Sequence, residues 1–193
     1  YYAGDPWDFY ERKVFPDKAL PIYGILTLSA TGSEMNSGGV ITNEEEKKKW
    51  GWGSKVTYPR LSIVDPSVQK SLPRNQTVNG VVDTLTHVFE AYFGGTKNTL
   101  MQDEFSEGII RTTMAAAKVL LEDPSDYDAR AELAWAATLA LNGLNGLGRA
   151  GDWASHGIEH SLSAYYDIAH GEGLSMVMPA WMQYVYKEDV DKF

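Results

Sequence analysis

The sequence predicts an α/β segment over residues 1–72 followed by a mostly α-helical domain over residues 73–193. Three observations carry that reading. Short apolar runs bounded by turn residues fill the first part, and the composition shifts after Ser71-Leu72-Pro73. Beyond that point, apolar residues recur at helical rather than alternating spacing. The chain has 193 residues, 44% of them hydrophobic and 22% charged, which suits a globular protein with a real core.

Tyr23-Gly24-Ile25-Leu26-Thr27-Leu28 reads as a buried strand running into Ser29-Ala30-Thr31-Gly32-Ser33-Glu34, a turn rich in small hydroxyl residues. Gly39–Thr42 and Lys55–Thr57 are expected to pair across the polar stretch between them. Leu61–Val64 is a second core strand, stopped by Asp65-Pro66. Five helices are expected next, over Asn75–Phe93, Leu100–Leu121, Tyr127–Leu144, Trp153–Ala164 and Leu174–Tyr186. Gly94-Gly95 ends the first and Glu122-Asp123-Pro124 the second, while Pro179 is expected to kink the last. Trp153, Tyr165, Tyr166 and Trp181 read as core aromatics near the histidines, and Trp50 and Trp52 as more exposed.

The net charge is −9, from 17 basic and 26 acidic residues, which argues against nucleic-acid binding. Cysteine is absent, excluding a disulfide framework and thiolate metal sites. No apolar run reaches the length of a membrane span and no signal-peptide pattern opens the chain, so a cytoplasmic protein is expected. Tyr1-Tyr2-Ala3-Gly4-Asp5-Pro6 and Asp191-Lys192-Phe193 both read as cut ends, and a fragment of a longer protein is expected.

The chemistry lies in the histidines. All four fall in two clusters: His87 four residues after Asp83, then His156 and His160 four apart, with His170 fourteen after His156. On a helix, residues four apart share a face, so each pair presents two donors to one point. Imidazole and carboxylate suit Zn²⁺ or Fe²⁺, and three histidines with one aspartate and an open position make a Lewis-acid site. Five candidate donors are one too many for such a site. One histidine is therefore expected beside the metal or in a proton relay, and spacing leaves open whether His156 or His160 is the ligand.

The order Asp-x-x-x-His, His-x-x-x-His and a last histidine ten residues on resembles the iron-containing (group III) alcohol dehydrogenases. Leu26–Asn36, Val64-Asp65-Pro66 and Asn79–Asp83 resemble the same family in the same order, and the NAD(P)H-dependent butanol dehydrogenase and aldehyde reductase branch is the nearest. The resemblance implies a dehydroquinate synthase-like architecture, truncated at both ends. It implies Asp83, His87, His156 and His170 as ligands of one Fe²⁺ or Zn²⁺, with His160 a catalytic group beside the substrate and nicotinamide. It also implies Thr27, Thr31, Asn36 and Lys49 as contacts to NADPH or NADH. The implied activity is reversible hydride transfer between that cofactor and a primary alcohol or aldehyde such as butanol or butanal, in a full-length homodimer.

The chain departs from the family in having no Gly-rich diphosphate turn. Residues 1–72 then correspond to the end of the nucleotide-binding domain and 73–193 to an incomplete helical metal-binding domain. Two alternatives use the same residues differently: a metal-dependent hydrolase, or a non-catalytic helical scaffold with structural histidines.

Overall fold

The computed structural model describes residues 2–193; Tyr1 lies outside the described residues. Pro73 ends the preceding coil, and α2 (Arg74–Tyr92) starts at the next residue. A one-turn helix, α1 (Trp7–Tyr10), precedes it in the chain; α3 (Leu100–Glu122), α4 (Tyr127–Leu141), α5 (Ala154–Tyr166) and α6 (His170–Val185) follow. α2 is the hub, packing against α3, α4, α5 and α6. Its buried face is unusually polar, carrying Thr77, Asp83, Thr84, His87 and Glu90 beside Val88 and Ala91. Thr84 hides its hydroxyl by donating to the Gly80 carbonyl at 2.8 Å.

The apolar core lies on the α3–α4 side of α2. Val88, Ile109, Ala136 and Ala140 form one cluster, and Ala116, Leu120, Ala129 and Leu133 a second. The alanines of α4 let the helices approach closely, and Asp126 caps α4 by accepting the Ala129 N–H at 2.8 Å. Truncating a fully buried leucine such as Leu133 here should cost about 2–5 kcal/mol.

The loop from α4 to α5 is anchored by Arg149. Its guanidinium meets Asp103 at 2.7 Å and donates to the Gln102 and Asn145 carbonyls at 3.1 and 3.0 Å. The loop ends at Trp153, whose φ of 56° places a bulky residue in the left-handed region immediately before α5.

The strands form two separate pairs. β1 (Tyr23–Ile25) and β4 (Leu61–Ile63) are parallel, in register Tyr23 to Leu61 and Ile25 to Ile63. β2 (Gly38–Asn43) and β3 (Lys48–Gly53) form an antiparallel hairpin, turned by Glu44–Lys47 with Lys47 at φ 53°. Trp7 stacks on Trp50 with ring centroids 5.2 Å apart, and β3 packs on α5. At Gly80 the chain after β1 crosses α2 so closely that a Cβ would strike the Ser29 carbonyl, which seats the hydroxyl-rich turn against the helix.

Several expectations change. Lys55–Thr57 is a 3-10 turn capped by Ser54, not a strand, because the hairpin closes within the charge block Glu44-Glu45-Glu46-Lys47-Lys48-Lys49. The expected buried strands are three residues each, and Tyr23, Ile25, Leu61 and Ile63 are exposed, since no other element covers them among the described residues. Tyr165 and Tyr166 are 65% and 72% exposed rather than core, because α5 buries its histidine face and they lie in its last turn, off that face. Trp153 is likewise exposed, beside the histidines. α6 begins at His170, four residues earlier than expected, and its Gly171 and Gly173 serve close helix packing. A Cβ on Gly171 would collide with the Asn79 backbone of α2.

Candidate metal centre and its cleft

α2 sends Asp83 and His87 inward from adjacent turns, α5 sends His156, and the first turn of α6 sends His170. Asp83, His156 and His170 bring donor atoms within 4.8 Å of one another, a group that does not include His87, and all three imidazoles face one oxygen of Asp83. Nε2 of His87, His156 and His170 stand 3.4, 3.6 and 3.5 Å from Oδ1 of Asp83. These separations are too long for good hydrogen bonds. They do suit donors that would share one ion, since bonds of about 2.1 Å put adjacent ligands roughly 3–3.5 Å apart. Asp83 Oδ1 and His156 Nε2 are both buried with no hydrogen-bond partner. A buried carboxylate oxygen facing three ring nitrogens without bonding any of them is a costly arrangement that a shared cation resolves. The residues present therefore fit a metal ion.

Two further carboxylates stand behind the histidines. Oε1 of Glu90 lies 3.0 Å from His156 Nδ1 and accepts the His156 backbone N–H at 3.1 Å. Glu159 meets His170 Nδ1. Both carboxylates are buried, Glu90 at 1% and Glu159 at 0% exposure. Glu90 follows His87 by three residues and Glu159 follows His156 by three, and neither is among the candidate donors named from the sequence. Helical periodicity puts each on the face of its neighbouring donor, but only the packing of the helices brings Glu90 to His156 and Glu159 to His170.

The electrostatics follow from burial and crowding. Burial alone pushes the Asp83 carboxyl up, but His87, His156 and His170 outweigh it and hold Asp83 ionised far below the usual carboxylate range. Burial lowers His87 to about 4 against the pull of Asp83. For His170 burial also lowers, yet Asp83 and Glu159 overcome it and raise the imidazole to about 9. His156 is raised for the same reason by Asp83 and Glu90. Burial, then the charges of His170 and Lys49, lower His160 to about 4.

A cleft of about 930 Å³ opens onto the donors, with Thr31, Asn36, Lys49, Trp52, Trp153 and His160 among its walls. Asn36 donates to the Thr31 carbonyl at 2.8 Å and accepts the Gly38 N–H at 3.0 Å, fixing the turn that forms one wall. Lys49 is not part of a solvated charge block. It points inward from β3 and pairs with Glu159 at 3.5 Å. A second cavity of about 530 Å³ shares Lys49 and His160 as a wall. His160 stands beside the four-donor centre, its ring 5.4 Å from that of His170. Thr27 is exposed and is not among the residues lining the cleft.

A buried aspartate–histidine centre beneath a cleft, on a helical frame with a small sheet, defines a metal-site class that sequence comparison resolves to a family. Residues 77–193 match the C-terminal model of the Fe-containing alcohol dehydrogenase family, and residues 1–66 match the iron-containing alcohol dehydrogenase model. This chain belongs to the iron-containing alcohol dehydrogenase family. It is 48% identical over its full length to a probable NADH-dependent butanol dehydrogenase 2 of Bacillus subtilis, covering 49% of that protein. It is 40% identical to the NADPH-dependent aldehyde reductase YqhD of Escherichia coli, with 91% of this chain and 46% of that one covered. The crystal structure of NADH-dependent butanol dehydrogenase A from Thermotoga maritima superposes with a TM-score of 0.96 at 55% identity, over 99% of this chain and 48% of that one. The chain thus spans about half the length of the curated relatives it matches.

Proposed function

We propose that this chain carries the metal centre of an NAD(P)H-dependent alcohol dehydrogenase and aldehyde reductase. The reaction is reversible hydride transfer between the nicotinamide and a primary alcohol or aldehyde such as butanol or butanal. The observation that carries the reading is the convergence of three Nε2 atoms on the unpartnered Oδ1 of Asp83. The printed names of the relatives, butanol dehydrogenases and an aldehyde reductase, favour this chemistry over hydrolysis or a scaffold role.

Asp83, His87, His156 and His170 are the proposed ligands of one Fe²⁺ or Zn²⁺. Bound there, the ion would supply Lewis acidity that stabilises negative charge developing on the substrate oxygen. The chain's own residues do the rest. Glu90 and Glu159 hold two imidazoles in the tautomer that turns Nε2 toward the centre. Thr31, Asn36 and Lys49 line the side of the cleft proposed for NADH or NADPH, and Thr27 is proposed to reach it from the strand end. Trp52 and Trp153 narrow the apolar part of the cleft, limiting water and orienting a short aliphatic substrate. His160 is neutral near pH 7 and free to accept a proton at the cleft wall, which suits a proton relay to solvent.

The wider architecture is proposed to be dehydroquinate synthase-like, with residues 1–72 ending the nucleotide domain and 73–193 forming the metal domain, in a cytoplasmic homodimer. Among the described residues no helix is long and apolar enough to cross a membrane. The test is metal content of the chelator-free protein together with aldehyde-dependent oxidation of NADH and NADPH by the full-length enzyme. About one equivalent of Fe or Zn per chain and turnover lost with the metal are expected. Turnover that survives complete metal removal would contradict the proposal.

A further inference from the structure

His170 reaches the donor centre through Nε2, and its other nitrogen has a partner of its own. Nδ1 meets Oε2 of Glu159, a carboxylate with no exposed surface. The same Oε2 lies 3.5 Å from Nζ of Lys49, which β3 sends in from the cleft side. The other oxygen faces the Ser163 hydroxyl. α6 is shaped to admit this carboxylate: a Cβ on Gly173 would stand 2.8 Å from Cγ and 2.9 Å from Oε1 of Glu159. Glu159, His160 and His170 present donor atoms within 4.8 Å of one another, but the Lys49 ammonium already stands at that carboxylate. A second cation there would meet a positive charge in place, so the cluster is a connection and not another metal site.

We propose that Glu159 is a positioning residue that ties the donor His170 to Lys49 at the cleft, so that the charge on Lys49 is felt in the affinity of the metal centre. The inference rests on the metal reading given above. A carboxylate accepting Nδ1–H fixes the tautomer, aims the Nε2 lone pair at the centre and makes it more basic. Lys49 competes for the same oxygen. A ligand that draws the ammonium into the cleft leaves the carboxylate's charge to His170, and coupling of this kind acts equally in the reverse direction.

The test uses Co²⁺ as probe, with affinity from chelator competition and geometry from its visible d–d bands, in the 193-residue chain. Glu159→Gln keeps the shape and removes the charge, and should weaken Co²⁺ binding about 10–100-fold with altered bands. Gly173→Ala touches no donor, yet should weaken binding by displacing Glu159, and should have no further effect in the Glu159→Gln background. Lys49→Met should change Co²⁺ affinity about 3-fold or more when Glu159 is present and less when it is Gln, a non-additivity expected only of coupled residues. Should Glu159→Gln not fold, as judged by circular dichroism, Gly173→Ala and Lys49→Met in the native background carry the test. Wild-type affinity and spectrum in Glu159→Gln, or in Gly173→Ala and Lys49→Met, would overturn the inference while leaving the metal reading intact. A wild-type chain that takes up no Co²⁺ would overturn that reading and the inference with it.

Discussion

The helical region and the paired strands β1 and β4 place polar and apolar residues in opposite ways. In the helices the deepest positions include Asp83, Glu90, His156 and Glu159 beside Leu133 and Leu174, whereas Tyr23, Ile25 and Leu61 on the strands are 68%, 65% and 57% exposed. Burying this many charged groups is expensive even where they pair, so a cluster of that kind persists where a larger interaction offsets the cost. Exposed apolar strands cost little by themselves but gain nothing. The contrast teaches that the helical region contains the reason for its own composition, a cation-shaped centre, while β1 and β4 find no cover among the described residues.

The largest effect that can break this comparison is at Asp83. Asp83→Ala should lower metal content below detection and turnover of the full-length enzyme by about 10³-fold or more, read by elemental analysis and steady-state kinetics. Core truncation sharpens the contrast next. Leu133→Ala should destabilise by about 2–5 kcal/mol in denaturant titration, against about 0.5 kcal/mol or less for Ile63→Ser on the exposed strand. Equal losses would mean that the strands are covered in solution.

The pH dependence of the metal-free chain gives a subtler test. His87 and His160 are lowered from 6.5 to about 4, so the unfolded chain takes up protons first as pH falls. Their contribution is present above pH 6.5 and is lost as pH falls through about 4. His170 is raised to about 9, so its contribution is present below pH 6.5 and is lost as pH rises through about 9. Thermal melts should therefore peak near pH 6.5. His160→Gln should flatten the acid side while leaving the alkaline side unchanged. Metal binding at pH 7–8 should release about one proton from His170, measurable by calorimetry in buffers of different ionisation enthalpy.

The helices and the paired donors were legible because both rest on local periodicity. Asp83 with His87 sets two donors on one helix face, and α2, α3 and α4 fall within a few residues of the expected bounds. Spacing could not choose between His156 and His160, since both lie on α5. The choice depends on where α6 and β3 pack, and they leave His156 facing Asp83 and His160 facing the cleft. Glu90 and Glu159 were illegible for a different reason. Glutamates on helices are ordinarily solvated, and only tertiary packing buries these two. The hairpin partner is not legible because the turn lies inside the charged run, so Lys48-Lys49-Trp50-Gly51-Trp52-Gly53 forms β3 where a polar connection was expected.

The account rests on one ion held by four named side chains. Anomalous diffraction at the absorption edge of the metal found by elemental analysis tests that most directly. The predicted result is a single peak at bonding distance from Asp83 Oδ1 and from Nε2 of His87, His156 and His170, with His160 outside bonding distance. A peak bound by His160 in place of His156, or a metal-loaded crystal with no peak among these four donors, would contradict it.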